Sequence, residues 1–208
     1  MWTTTRKRGL TLVELLVALS VSSVILAAVA TLAFALGRAT EGMDNMGRNQ
    51  AQVRYATLRL TDMIRQARLV CYADTESFAL WAEDDDGNDQ INVSEIVYVD
   101  KGDAGDMLRL CELSSASDPS VVLGDIGSLG SNWWTAYSAS AAYTVLIPSC
   151  SNVQFGYDAL PPAGEFVTVS FELSENGRMQ PYEVCGCLRG RAGNLLNAAG
   201  DTIISDDD

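Results

Sequence analysis

The sequence predicts an α+β protein, in which one long N-terminal helix spans a membrane with its first half and packs on antiparallel β-sheet with its second. Three observations carry that expectation. Residues 10–36 form an apolar run carrying one charge, Glu14. Apolar residues then recur at three-and-four spacing to residue 70. From residue 78 the pattern changes to short alternating runs separated by turn residues.

The apolar run follows the basic triplet Arg6-Lys7-Arg8 and Gly9. About 20 apolar residues suffice to cross a bilayer. Basic residues stay on the cytoplasmic side, which puts the bulk of the chain outside the cytoplasm. Beyond the run, Met43, Met46, Val53, Ala56, Leu60, Ile64, Ala67 and Val70 form one buried stripe. The opposite face carries Arg48, Arg54, Arg59, Arg65 and Arg68 with Asp44 and Asp62. A helix over residues 10–70 would run about 90 Å. Gly37, Gly42 and Gly47 each cost about 1 kcal/mol of helix propensity, which makes the join between the halves its weakest part.

Strands are expected over residues 78–81, 95–99, 107–111, 143–147 and 152–157. The clearest pair is 166–173 and 181–188 around Glu175-Asn176-Gly177, because Asn-Gly between alternating apolar runs is a strong hairpin signal. Residues 114–142, rich in Ser, Ala and Gly, read as a long loop with a short helix. Its Trp133-Trp134 pair is read as one core ring with a neighbour half-covering the loop, and alternatively as a contact surface. Ser205-Asp206-Asp207-Asp208 reads as a solvated acidic tail.

Composition excludes several functions. The chain has 208 residues, a net charge of −13 and no histidine. That charge disfavours nucleic acid as a partner. Without histidine there is no Ser-His-Asp or Cys-His nucleophile and no His-ligated metal. No phosphate loop or dinucleotide glycine pattern is present, so the chain reads as a non-enzyme. All five cysteines, Cys71, Cys111, Cys150, Cys185 and Cys187, fall in the part expected outside the cytoplasm, where disulfides persist. Two bridges are expected, with connectivity open and with Cys185 and Cys187 each finding a partner. A Cys-x-Cys metal or redox site is the lesser reading.

The acidic stretch Asp84 to Glu95 has the spacing of a calcium loop, with Asp84, Asp86, Asn88, Gln90 and Glu95 as oxygen ligands. Asp89 stands where that loop wants glycine, and the flanks read as strands. A polar hairpin turn, with no cofactor, is the favoured reading.

Glu14 is the most informative residue. A carboxylate inside a membrane helix costs about 2.5–3.5 kcal/mol on insertion scales and marks a function with a partner. An ordinary secretory signal ending at Ala28-Val29-Ala30 is the alternative, but its apolar core should be short and uncharged. The run from Arg6-Lys7-Arg8-Gly9 through Leu10-Thr11-Leu12-Val13-Glu14 resembles the leader of type IV pilins and type II secretion pseudopilins. That resemblance implies cleavage after Gly9 by a prepilin peptidase and N-methylation of Leu10. It also implies that Glu14 neutralises the N-terminal amine of a neighbouring subunit during assembly. Leucine replaces the family's usual phenylalanine at the new terminus.

The rest of the chain, with Arg59–Ala67 leading to an acidic turn and with Leu108-Arg109, Val153–Asp158 and Leu188-Arg189, resembles more loosely the J-type minor pseudopilins and W-type minor pilins. The implied divisions are a leader over 1–9, a transmembrane half-helix over 10–36, an amphipathic half-helix over 37–70 and a periplasmic β-rich domain over 71–208. The implied partners are the peptidase, other pilins or pseudopilins, the inner-membrane assembly platform and the lipid bilayer. The implied function is a minor subunit of a secretion pseudopilus or type IV pilus, at its tip or in its initiation complex. A filament-displayed binding module for adhesion or DNA uptake is the alternative.

Overall fold

The computed structural model describes residues 11–175, 177–190, 195–197 and 203–204. The chain divides into two units, Met1–Gly47 and Arg48–Asp208. Helix α1, Leu12–Gln66, contributes to both.

In the first unit, Leu12–Arg38 is a segment of 27 residues with mean hydropathy 2.5 and no buried side chains, long and apolar enough to cross a membrane. Its hydroxyls donate back to its own carbonyls: Ser20 to Val17, Ser23 to Ser20 and Thr31 to Ala28, at 2.8–2.9 Å. These three hydroxyl protons are thereby satisfied without water, as hydrocarbon surroundings require.

The second unit starts with the remainder of α1, whose Ala56, Leu60, Met63 and Ile64 are buried. The helix ends at Gln66, four residues short of the expected end. Ala67 N–H still bonds to Met63 O, but Arg68 N–H turns to Trp81 O at 2.8 Å and starts a ladder. Val70, placed on the helical stripe by spacing alone, belongs to strand β1, Leu69–Ala73. A short buried apolar run has no periodicity of its own, so spacing alone does not separate it from the helical stripe that precedes it.

Strands β1, β2 (Ser77–Trp81), β3 (Ile96–Asp100), β4 (Leu108–Ser114) and β5 (Ser140–Ile147) form one antiparallel sheet in sequential order. A second antiparallel sheet has the order β6 (Ser151–Tyr157), β7 (Phe166–Glu175), β8 (Arg178–Cys187). The closing hairpin pairs Glu175 with Arg178, which leaves a two-residue connection as the Asn-Gly signal predicts. Gly177 there takes φ +74°, the left-handed conformation such turns require. Asn176 lies outside the described residues.

Two cores result. In the first, Leu60 and Ile64 pack among Phe78, Leu80 and Val99 of one sheet and Val167, Val169 and Phe171 of the other. Gly186 makes this contact possible, since a Cβ there would lie 2.7 Å from Ile64 Cγ2. The second core covers the other face of the five-stranded sheet, where Trp81, Ile96, Tyr98 and Cys111 meet Val121, Ile126 and Trp134. The loop over 115–139 therefore acts as a lid on the sheet, and β2 is buried on both faces. Three short 3-10 helices, Leu123–Asp125, Leu129–Ser131 and Trp133–Tyr137, shape it. Trp134 is buried and Trp133 half-buried, its indole N–H donating to the Tyr98 hydroxyl at 2.7 Å. The pair is core, as the favoured reading had it.

The expected disulfides are absent: all five cysteines are free. Cys71 and Cys111 share the second core but sit on β1 and β4, three strand spacings or about 14 Å apart. That is beyond the reach of a disulfide, whose Cα atoms lie within about 7 Å. Burial pushes the Cys71 thiol up to about 12 and the Cys111 and Cys150 thiols up to about 11. Cys185 and Cys187 do share one face of β8, but both are exposed and face no other cysteine.

Candidate assembly site

Glu14 stands in the first turn of α1. Thr11 precedes the helix, and its Oγ1 accepts the Glu14 N–H at 3.3 Å. Glu14 Oε2 in turn accepts the Thr11 N–H and the Thr11 hydroxyl, each at 2.9 Å. This is a capping box, and its signature Thr-x-x-Glu stands at Thr11-Leu12-Val13-Glu14. Sequence reasoning singled out Glu14 and passed over Thr11, although that spacing was visible.

The cap aims the carboxylate backwards along the chain. It holds Oε2 against the peptide nitrogen that joins residues 10 and 11. The positive end of the helix dipole adds a favourable interaction for an acid in the first turn. An anion is thereby held at the N-terminal end of the apolar segment. Arg6-Lys7-Arg8, Gly9 and Leu10 lie outside the described residues, as does the acidic tail Ser205–Asp208.

The acidic loop forms a second cluster. Asp84, Asp86 and Glu95 bring carboxylate oxygens within 4.8 Å of one another. Asp89, at the position where calcium loops favour glycine, takes φ +54°, so the backbone turn is made without glycine. Asn88 turns its amide on Asp86 at 2.7 Å, and its carbonyl accepts the Gln90 N–H at 2.7 Å. Glu95 is 4% exposed. It accepts from the Trp81 indole and Asn92 N–H at 2.9 Å and from Asp85 N–H at 2.8 Å. Arg68, expected on the helix, lies beyond its end, stacks over Trp81 at 4.5 Å and pairs with Asp84 and Asp89. The Asp84 carboxyl is held below the usual range by Asp89 and Asn88 N–H groups and by Arg68, against the opposing effect of burial.

An open cavity of about 420 Å³ is lined by Asp74, Glu76, Asp100, Asp103, Arg109 and Tyr143 among others. Arg109 pairs with Asp100 at 2.9 Å and Asp103 at 2.7 Å, while Lys101 pairs with Glu76 at 2.8 Å. Asp74 is bonded by the N–H groups of Glu76 and Ser77 and by the Tyr72 hydroxyl. Burial raises the Asp100 carboxyl, opposed by Arg109. The carboxylates of Asp74, Glu76, Asp100 and Asp103 in the cavity are therefore each partnered.

No curated protein and no solved structure shows a significant match to this chain. Residues 4–30 match the family model of the prokaryotic N-terminal methylation motif.

Proposed function

Since residues 4–30 carry the hallmark motif of type IV pilin and pseudopilin proteins, we propose that this chain is a minor structural subunit of a secretion pseudopilus or pilus. In this reading it is membrane-anchored by its first helix and joins sibling subunits in a tip or initiation complex. Cleavage after Gly9 would free an amine on Leu10, one residue before the Thr11 that holds the carboxylate in place. The single observation that carries the proposal is the Thr11–Glu14 cap at the start of an apolar segment of 27 residues.

The cap also refines the mechanism. In a lone subunit the carboxylate is compensated by its own Thr11 and its own terminus. Assembly then exchanges that local partner for the amine of a neighbour, so the buried acid never faces lipid unpaired. An exchange of similar partners leaves helix packing to set the direction.

N-terminal sequencing of the protein from its native membrane tests the cleavage step. The first residue is expected to be methylated Leu10, and Gly9→Ala is expected to retain the leader as a heavier band. A mature chain starting after Ala30 would instead assign an ordinary secretory signal.

We further propose that the acidic loop is a self-neutralised turn, in which Arg68 and main-chain N–H groups do what a cation would do. The melting temperature is then expected to be the same with a chelator as with calcium. A rise of several degrees with calcium would reassign Asp84, Asp86, Asn88, Gln90 and Glu95 as its ligands.

A further inference from the structure

Strand β8 alternates its side chains between two faces, and the alternation gathers two thiols on one of them. Val184 and Gly186 are buried, whereas Glu183, Cys185 and Cys187 stand exposed on the other side. β8 is also an edge strand of its sheet, so the thiols are open to solvent from the flank as well. Across the ladder Cys185 lies opposite Thr168 and Cys187 opposite Phe166. The Thr168 hydroxyl donates to the Cys185 sulfur at 3.9 Å, and the Cys185 thiol donates to Glu183 Oε1 at 3.3 Å. One sulfur therefore has a hydroxyl that favours its negative charge and a carboxylate placed to accept its proton.

The two thiols cannot close on each other within the strand. Residues two apart in a strand are separated by about 6.7 Å, at Cβ as at Cα. A disulfide needs Cβ atoms about 3.5–4.5 Å apart. An ion between the sulfurs spans the difference. Metal–thiolate bonds are about 2.3 Å, so two sulfurs on opposite sides of one ion stand about 4.6 Å apart. Each sulfur then leans only about 1 Å along the strand from its Cβ, which rotation about χ1 supplies.

The number of ligands selects the ion. Among the described residues, the only acidic or sulfur ligands gathered in a group of three within 4.8 Å are those of Asp84, Asp86 and Glu95. Glu183, Cys185 and Cys187 thus form no three-ligand cage, and the chain has no histidine to complete one. A tetrahedral zinc ion would be left two ligands short. Two thiolates facing each other suit a soft monovalent ion that accepts linear coordination, and soft sulfur ligands select Cu(I).

We propose that Cys185 and Cys187 chelate one Cu(I) ion. Two S–H bonds break and two S–Cu bonds form, and two protons leave, the one from Cys185 by way of Glu183. Copper enters as Cu(I), so no electron is transferred, and the bis-thiolate complex carries one negative charge. The inference goes beyond the proposed function and depends neither on Gly9 nor on Glu14.

Titration of the full chain in detergent micelles under argon tests it, with Cu(I) supplied from a coloured Cu(I) chelator whose bleaching reports transfer. Uptake of one ion per chain is expected, together with loss of maleimide reactivity at both exposed thiols. Cys185→Ser and Cys187→Ser should each lower the affinity by more than about 100-fold, since even the outer partners of a metal ligand are worth about 10–100-fold. Both positions are exposed, so neither substitution disturbs the core. The double variant should take up no ion over the range that fills the wild type, although it keeps Cys71, Cys111 and Cys150. Wild-type uptake by the double variant overturns the site, as does an absence of uptake by the wild type. One ion per two chains, in a particle of doubled mass, overturns the chelate within one chain. Preference for zinc over Cu(I) overturns the ion class. The proposed function stands in each of these cases, because N-terminal sequencing decides it separately.

Discussion

Glu14→Ala is expected to be cleaved normally yet to be almost absent from the proposed assembly. Truncation removes both the charge and the acceptor for Thr11 N–H and Oγ1. Losing the cap weakens the first turn, which the long apolar helix tolerates. Losing the charge matters more in the proposed pairing, because a neighbour's amine would be left without a counter-ion. Removing one member of a buried, hydrogen-bonded pair costs about 2–5 kcal/mol. Every 1.4 kcal/mol is tenfold, so recovery in sheared fibres should fall by about 30-fold or more. Glu14→Gln separates the two contributions, since an amide still accepts from Thr11 but carries no charge. Incorporation of Glu14→Gln at the wild-type level would reduce Glu14 to a helix cap and end the pairing mechanism.

The second large effect is expected far from the membrane. Glu95→Ala should lower the melting temperature by about 10 °C. Three donors converge on this one side chain: the Trp81 indole, Asn92 N–H and Asp85 N–H. The first two are buried, and each buried donor left without an acceptor costs about 1–3 kcal/mol. A combined loss of about 3–5 kcal/mol corresponds to about 2–4 °C per kcal/mol for a protein of this size. Glu95→Gln should recover only part of the loss, since its NH₂ group would point at one of the donors. A change of less than 2 °C for Glu95→Ala in a thermal melt would show that water replaces the carboxylate and that the turn is not anchored there.

Much of this architecture was legible in the residues because it rests on short-range chemistry. The apolar run, the Asn-Gly hairpin and the alternation of Phe166–Leu173 each carry their signal within a few positions. What was missed depends on distant partners. Val70 could be recognised as strand only through its pairing with Leu80. The covering of a second sheet face by the loop over 115–139 depends on Val121, Ile126 and Trp134 meeting Tyr98 and Cys111. A Ser- and Gly-rich composition conceals those few anchors. Free cysteines were also beyond reach, since spacing along the chain carries no information on separation across four strands. At the candidate site Glu14 stood out as a charge in the wrong medium. Thr11 was legible too, through the Thr-x-x-Glu spacing, but a hydroxyl at the edge of an apolar run draws no notice beside a charge.

Gly186 has a practical consequence. By letting β8 press directly on Ile64, it turns the side chains on either side of it outward, and these are the two accessible sulfhydryls of the chain. The native molecule thus offers adjacent attachment points for a fluorophore or spin label without any engineered substitution. Because Cys71, Cys111 and Cys150 are buried, a maleimide dye would decorate that strand alone. Its emission would then follow the entry of the subunit into the proposed assembly.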